Sequence, residues 1–284
     1  METIYLKSWE EFENELRGLF DLRDKMKKKT AQDLGGESKD IYISDILFRG
    51  QSDSEWQLRT TLERTIDKPM NMLDYYTAIL SSKPEIETFT GRSWDLPSST
   101  EYASWLNNNY GLSGVSPLQV YEYMAYLRHH GFPSPLLDWT ASPYVAAYFA
   151  FRGAISQKGE EKRESAVSIY AYLEYLGIEK QGWAKSPFIF SLGPTIKVHP
   201  RHFLQKCQYT ICSVKKTDND RFYSFHEDVF AEDNKEQDLL WKFVIPAAER
   251  NRVLRVLERS NIDAYSLFGS EESLMETIAI RHFS

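Results

Sequence analysis

The residue best placed to do chemistry is Arg49, in the triplet Phe48-Arg49-Gly50 at the end of a run rich in β-branched and aromatic side chains. A guanidinium there can hold a phosphate or carboxylate through two parallel hydrogen bonds. A following glycine would let a ligand approach the backbone closely. An arginine at an apolar strand end needs a partner in any case, and Asp138 or Glu55 would serve equally well to make it a brace. A second group, Asp138, Trp139, Thr140 and Ser142, lies between a proline turn and an apolar helix. Hydroxyls and free helix N–H groups converging at one place suit an anionic ligand. The same residues also suit a purely structural role, with Ser142 capping the helix, Asp138 or Thr140 bracing the turn and Trp139 filling the core. His129 and His130 end the preceding helix, where the dipole favours a charged imidazole. Adjacent on a helix, they point about 100° apart, which suits packing or capping better than chelation.

Other chemistries are disfavoured. Cys207 and Cys212 lack CxxC spacing, and no histidine pair sits at a zinc-motif interval, so no metal is expected. Five apart in an extended segment, the two thiols face opposite ways and should not pair, and so few cysteines fit a reducing compartment. The formal net charge of −7 argues against nucleic acid as a partner. Arg23, Lys25, Lys27, Lys28 and Lys29 are a local exception that reads as a solvated helix end. The opening METIYLKSWEEF has no basic start followed by an apolar core, and no apolar run approaches the roughly 20 residues that span a bilayer, so a cytoplasmic protein is expected.

The elements that must position these residues are legible in part. With 42% hydrophobic and 26% charged residues in a chain of 284, a buried core can offset the conformational entropy lost on folding. Residues 3–7 read as a strand, and Ser8 with Glu11 forms a capping box ahead of Trp9, Phe12, Leu16 and Leu19 at helical spacing. Residues 31–40 read as a loop. Strands are expected over 41–48, 166–174, 207–214 and 239–245. Residues 70–116 look like helices broken by loops, an insertion between core elements. Ser116 as cap and Pro117 at the first position open a helix that Gly131 closes, and 132–139 is held extended by its prolines. Ser142-Pro143 opens another, apolar on nearly every face and therefore buried. The polar stretch 159–165 reads as a surface turn. Pro246 begins an amphipathic helix bearing Val253, Leu254 and Leu257, and a short helix follows near 271–280. The expected fold class is α+β, a mostly antiparallel central sheet with surrounding helices.

Three blocks carry a family resemblance: FRGQSDSEWQLRTTLER over 48–64, HHGFPSPLLDWTASPYVAAYFA over 129–150, and RHFLQKCQYT with the later LLWKFVIP and NIDAYSLF. They resemble the FRG-domain family, and the resemblance implies a single FRG domain over 1–284, with an N-terminal helical extension (1–40) and a core (41–284). The family usually has Thr-Arg where Ser134-Pro135 stands here, so an arginine that binds an anion there would have to come from elsewhere. More distantly, a strand-borne arginine, a hydroxyl-bearing turn, a Ser-Pro helix and late strands resemble the order of elements in ADP-ribosyltransferases. That resemblance implies an NAD-dependent transferase, and the FRG-domain resemblance implies a role as a toxin or phage-defence effector. Its catalytic set would be Arg49, Thr140, Gln205 and Glu236, with Asp238 an alternative carboxylate. Its NAD-contacting set would be Arg49, Gln51, His130, Asp138, Trp139 and Ser142. A carboxylate would stabilise the oxocarbenium-like state as the glycosidic bond breaks. The alternative is a non-enzymatic module that binds a nucleotide or a protein. The transferase reading asks that Arg49, Thr140 and one of Gln205, Glu236 or Asp238 share a cleft.

Overall fold

A computed structural model of the protein describes residues 1–33, 43–66, 68–108, 116–154, 165–175, 187–193, 196, 200–217, 220–230 and 238–283. Nine strands form one mixed sheet: β1 (Glu2–Tyr5), β2 (Leu47–Gln51), β3 (Met70–Asn71), β4 (Leu136–Thr140), β5 (Ala166–Leu173), β6 (Phe188–Ser191), β7 (Cys207–Lys215), β8 (Arg221–Tyr223) and β9 (Leu239–Pro246). Their spatial order is β1-β9-β5-β2-β4-β7-β8-β3, with β6 also on β7. Among the described strands only β1 on β9 is parallel. The described residues also form ten α-helices: α1 (Trp9–Asp33), α2 (Thr61–Thr65), α3 (Met72–Thr90), α4 (Ser99–Asn108), α5 (Leu118–His129), α6 (Pro143–Arg152), α7 (Pro200–Leu204), α8 (Arg250–Arg259), α9 (Ala264–Phe268) and α10 (Glu271–Phe283). The molecule is therefore α+β, with a largely antiparallel sheet, and none of the described helices is long and apolar enough to cross a membrane.

The period-2 alternation of the central strands assigns side chains to two faces. On β5, Val167, Ile169, Ala171 and Leu173 join the layer built by α1, α6 and α8, while Tyr170 and Tyr172 point to the opposite face with Trp139 and Leu240. Trp9, Phe12, Leu16 and Leu19 of α1 are all buried in the first layer, as their spacing predicts. Helices α3 and α4 fall inside the stretch expected to be helical, and with α5 they bury Tyr76, Tyr102, Tyr123 and Met124 in a separate cluster beside β4, β7 and β8. Cys207 and Cys212 are both free and sit in different clusters, on opposite faces of β7.

Helix α6 is capped as the sequence implies: Val145 N donates to Ser142 Oγ at 3.4 Å, Pro143 occupies the first turn, and Gly153 follows the last. Its Ala146, Ala147, Ala150 and Phe151 are fully buried against β2 and β5. The helix lies so close to β2 that a Cβ at Gly50 would stand 1.9 Å from Ala146 O and 2.7 Å from Ala150 N.

Several local expectations change, among them Pro246, which ends β9 and does not begin a helix, since α8 starts at Arg250. The strand expected over 41–48 runs over Leu47–Gln51, with Ile43 forming only an isolated bridge to Tyr175. Gly50 does not end the strand, because it pairs with Ile169 of β5 and its missing side chain makes room for α6. The helix expected to start on a Ser116 cap instead has Pro117 as N-cap with no side-chain bond, since Ser116 Oγ is taken by Tyr102 OH at 2.7 Å. The extended 132–139 segment ends in a full strand, β4, which pairs with β7 over five residue pairs. Residues 31–33 of the expected loop belong to the end of α1, while 34–40 of that loop and 159–164 of the expected turn lie outside the described residues.

Overpacking at this interface should be costly. Ala147→Leu is expected to lower stability by about 1–3 kcal/mol. Gly50→Ala should cost more, because its new methyl meets backbone and not a flexible side-chain end. Thermal melting of the two variants measures both losses. An unchanged midpoint for Gly50→Ala would contradict the packing described.

Candidate functional site

The sheet has one weak seam. Strands β2 and β4 pair at a single position, Phe48 with Thr140, whereas β2 pairs with β5 over five positions. A cavity of about 480 Å³ opens where the two strands diverge, a size suited to a small-molecule ligand. Because successive residues of a strand alternate faces, Gly50 turns to α6 while Arg49 and Gln51 share the other side.

Arg49 Nη1 donates to the Asp138 backbone carbonyl at 2.8 Å across the seam, and stands 3.9 Å from Asp138 Oδ2. Its Nε is buried and has no hydrogen-bond partner among the described residues. Burial pulls the guanidinium pKa down to about 10; Asp138 opposes the shift, while Arg128 and Arg64 add to it. Arg49 is thus cationic at neutral pH but short of a counterion. The expected alternative partner, Glu55, makes no contact with it and instead accepts from Ser54 Oγ at 3.5 Å.

The Asp138 carboxylate belongs to Arg128, in the last turn of α5. Arg128 Nε and Nη2 grip Asp138 Oδ1 and Oδ2 in a two-point pair, and Nη1 donates to Thr61 Oγ1 at 3.0 Å. Enclosure would raise the Asp138 pKa, but the charge and hydrogen bonds of Arg128, followed by the charges of Arg49 and His129, outweigh it and hold the carboxyl below its usual value. The Asp138 side chain is 42% exposed, and it lines the cavity. Arg64, in α2, and Arg201, in α7, also line the cavity, so the described lining residues include four arginines and one carboxylate. Arg201 stacks over the Phe268 ring at 5.6 Å. With Asp138 committed to Arg128, the cavity keeps a cationic surplus in an otherwise acidic chain.

The other candidate residues divide into lining groups and supports. Thr140 lines the cavity, with its hydroxyl donating to Gln205 O at 2.7 Å and accepting from Ser142 N at 3.1 Å. Gln205 also lines it, and its Nε2 donates to Leu267 O at 3.1 Å. Gln51 is buried at the cavity wall, its Nε2 donating to Gln57 O at 3.2 Å. Trp139 contributes to the wall, yet its indole is anchored away in the core: Nε1 donates to Thr210 Oγ1 at 2.7 Å, and Thr210 meets the buried His226 at 3.0 Å. Ser142 is occupied as the α6 cap and does not line the cavity. His130 is exposed and packs on the Tyr126 ring at 4.5 Å. Its neighbour His129 is the one at the cavity, hydrogen-bonded to Tyr209 OH at 2.9 Å. Asp238 lies elsewhere, accepting from Tyr172 OH at 2.6 Å and Tyr175 N at 3.0 Å. Glu236 lies outside the described residues. The described residues contain no group of three or more acidic, histidine or cysteine side chains placed to hold a metal.

Sequence reasoning did not single out Arg64, Arg128, Arg201 or Tyr209. Arg128 had a signal, since it directly precedes His129-His130-Gly131 at a helix end ten residues before Asp138. Arg64 closes the first motif block. Ser134 and Pro135 lie outside the cavity wall, and the arginines that line it come from β2, α2, α5 and α7.

Fold and site define an α+β protein with an arginine-lined cavity at a splayed sheet seam. A family model described as FRG domain matches residues 44–159. That stretch contains β2, α5, β4 and α6, and with them Arg49, Arg64, Arg128 and Asp138. No curated protein and no solved structure matches the chain.

Arg128→Met should destabilise the protein by about 2 kcal/mol. This is less than the 3–5 typical of a fully buried broken pair, because Asp138 is partly open and Arg49 remains nearby. The Asp138 pKa is depressed in the folded state, so the pair stabilises above the unfolded carboxyl value, about 3.9. That stability is lost as pH falls through the lower, folded value. Wild type should therefore lose its advantage over Arg128→Met on acidification. A constant difference in denaturant midpoint from neutral pH to about pH 2 would contradict the pairing.

Proposed function

We propose that this FRG domain binds a nucleotide through its phosphates, with NAD as the ligand class, and that Arg49 is the anion-holding residue. The observation that carries the reading is a cationic guanidinium at a cavity wall, with a buried Nε that no described group satisfies. Leaving a buried donor unpaired costs about 1–3 kcal/mol, more when it is charged, and an oxyanion arriving in the cavity would relieve that cost. The planar fork fixes a diphosphate in one orientation, which a lysine cannot do. Arg64 adds charge without a carboxylate partner among the described residues.

A second reading, ADP-ribosyl transfer, draws support from one further observation: Arg49, Thr140 and Gln205 line the same cavity although they are far apart in sequence. Gln205 would bond a ribose hydroxyl without supplying charge. Asp138, the acidic group among the described lining residues, is neutralised by Arg128, so the support is stronger for binding than for bond cleavage. A toxin or phage-defence effector of this kind would deplete cellular NAD when expressed.

Calorimetry with NAD, ADP-ribose and ATP at modest salt should give measurable binding for at least one of them; silence with all three would leave a protein-binding module. Arg49→Lys and Arg49→Ala should both abolish binding and lower the melting temperature only slightly, because Arg128 still neutralises Asp138. A large fall in melting temperature would make Arg49 a brace across the seam. Retained binding in Arg49→Lys would make the fork irrelevant. Release of nicotinamide from NAD by the wild type, lost in Arg49→Lys, is the result expected of the transferase.

A further inference from the structure

Gln51 presents a second unsatisfied atom on the same side of β2. Its amide is fixed, since Nε2 donates to Gln57 O at 3.2 Å and leaves Oε1 as an acceptor. Oε1 is buried without a hydrogen-bond partner among the described residues, in a side chain only 3% exposed. Gln51 lines the same cavity as Arg49, and two residues along a strand place their Cα atoms about 6.6 Å apart. The wall therefore offers an unpaired cationic donor and, one pleat further, an unpaired neutral acceptor. Half-exposed Trp56, also on the cavity wall, adds an aromatic surface beside them. A ligand that satisfies both positions carries an anionic oxygen and, a few ångströms away, an N–H donor on a planar group.

We infer that Gln51 is a specificity-determining residue that accepts a hydrogen bond from an amino or carboxamide N–H of the ligand's base. The inference rests on the nucleotide reading above and narrows it. Simple diphosphates and carboxylates satisfy Arg49 but leave Gln51 Oε1 unpaired, and a base that presents an oxygen there is repelled. A site built around a buried polar atom rejects the analogue that cannot pair with it far more strongly than an apolar pocket would. In NAD the donor is either the nicotinamide carboxamide or the adenine amino group. Both are the same chemistry, and two analogues tell them apart.

The experiment measures the Kd of the purified chain for NAD, nicotinic acid adenine dinucleotide and nicotinamide hypoxanthine dinucleotide. It is repeated with Gln51→Leu and Gln51→Glu. In wild type, one analogue should bind on the order of tenfold or more weaker than NAD, as expected for a lost pair at a buried acceptor. A weak nicotinic acid analogue places the carboxamide at Gln51, and a weak hypoxanthine analogue places the adenine there. Gln51→Leu should bring NAD and the poor analogue to the same affinity. Gln51→Glu keeps acceptor oxygens, so discrimination should survive; if the poor analogue is the nicotinic acid one, it should widen, because two carboxylates would then meet. This second variant keeps the test decisive if Gln51→Leu folds poorly. Equal binding of all three dinucleotides by wild type, discrimination unchanged in folded Gln51→Leu, or discrimination lost in folded Gln51→Glu would overturn the role of Gln51 while leaving the nucleotide reading in place. Absence of binding to NAD, ADP-ribose and ATP would overturn the nucleotide reading itself.

Discussion

Two guanidinium groups meet one aspartate at the seam of the sheet, and their unequal shares set the character of the cavity. Arg128 takes the Asp138 carboxylate in a two-point grip, while Arg49 takes only the backbone carbonyl and a long contact to one oxygen. If the shares were equal, the single negative charge would be split between the two guanidinium groups and neither would stand out. As it is, α5 supplies the partner that keeps Asp138 ionised, and Arg49 is left with charge to spare. The pair also joins a helix of one hydrophobic cluster to a strand in the middle of the sheet. Positioning and electrostatics thus come from one contact.

The seam depends in turn on α6. A helix that approaches a strand closely enough to exclude a Cβ fixes that strand in position and orientation. With β2 held from one side by α6 and along its length by β5, Arg49 and Gln51 emerge from a rigid element and not from a loop. Preorganisation of this kind lowers the entropy lost when a ligand binds. The cavity is built from the edges of regular structure, and the hydroxyl of Thr140 with the backbone of Gln205 ties its far wall together.

The sequence made the long strands and α6 legible because their signals are local. β5, β7 and β9 fall within a residue or two of the runs of β-branched and aromatic side chains, and Ser142-Pro143 with Gly153 bounds the buried helix. It left β2 misplaced because a glycine inside a strand reads as a stop, and its true reason, the backbone of Ala146, lies almost a hundred residues away. The short strands β3, β6 and β8 escaped notice, being set by pairing with β7 and β8 more than by their own composition. Arg49, Thr140 and Asp138 stand out by motif. Arg128 and Arg201 do not, because an arginine at the end of an apolar helix, or in a short polar one, looks like a solvated charge until the fold aims it inward. Ser142 shows the opposite limit: its type and place suit a ligand equally well, and only the hydrogen bond to Val145 assigns it to the helix.

The parallel pairing of β1 with β9 carries a consequence of another kind. Glu2 lies opposite Trp241, so the first strand of the chain finds its place only beside one of the last. Closing so long a loop is entropically demanding and postpones the contact in folding. During synthesis the N-terminal segment leaves the ribosome long before its partner exists, and the apolar face of α1, with Trp9, Phe12 and Leu16, emerges without the β9 residues it will cover. β5 is in the same position, since its long seam with β9 also waits for residues some seventy positions later. The sheet is therefore completed late and from its first-made edge, and until then the nascent chain exposes an unpaired strand and an uncovered helix, a state in which chaperones bind and neighbouring chains aggregate.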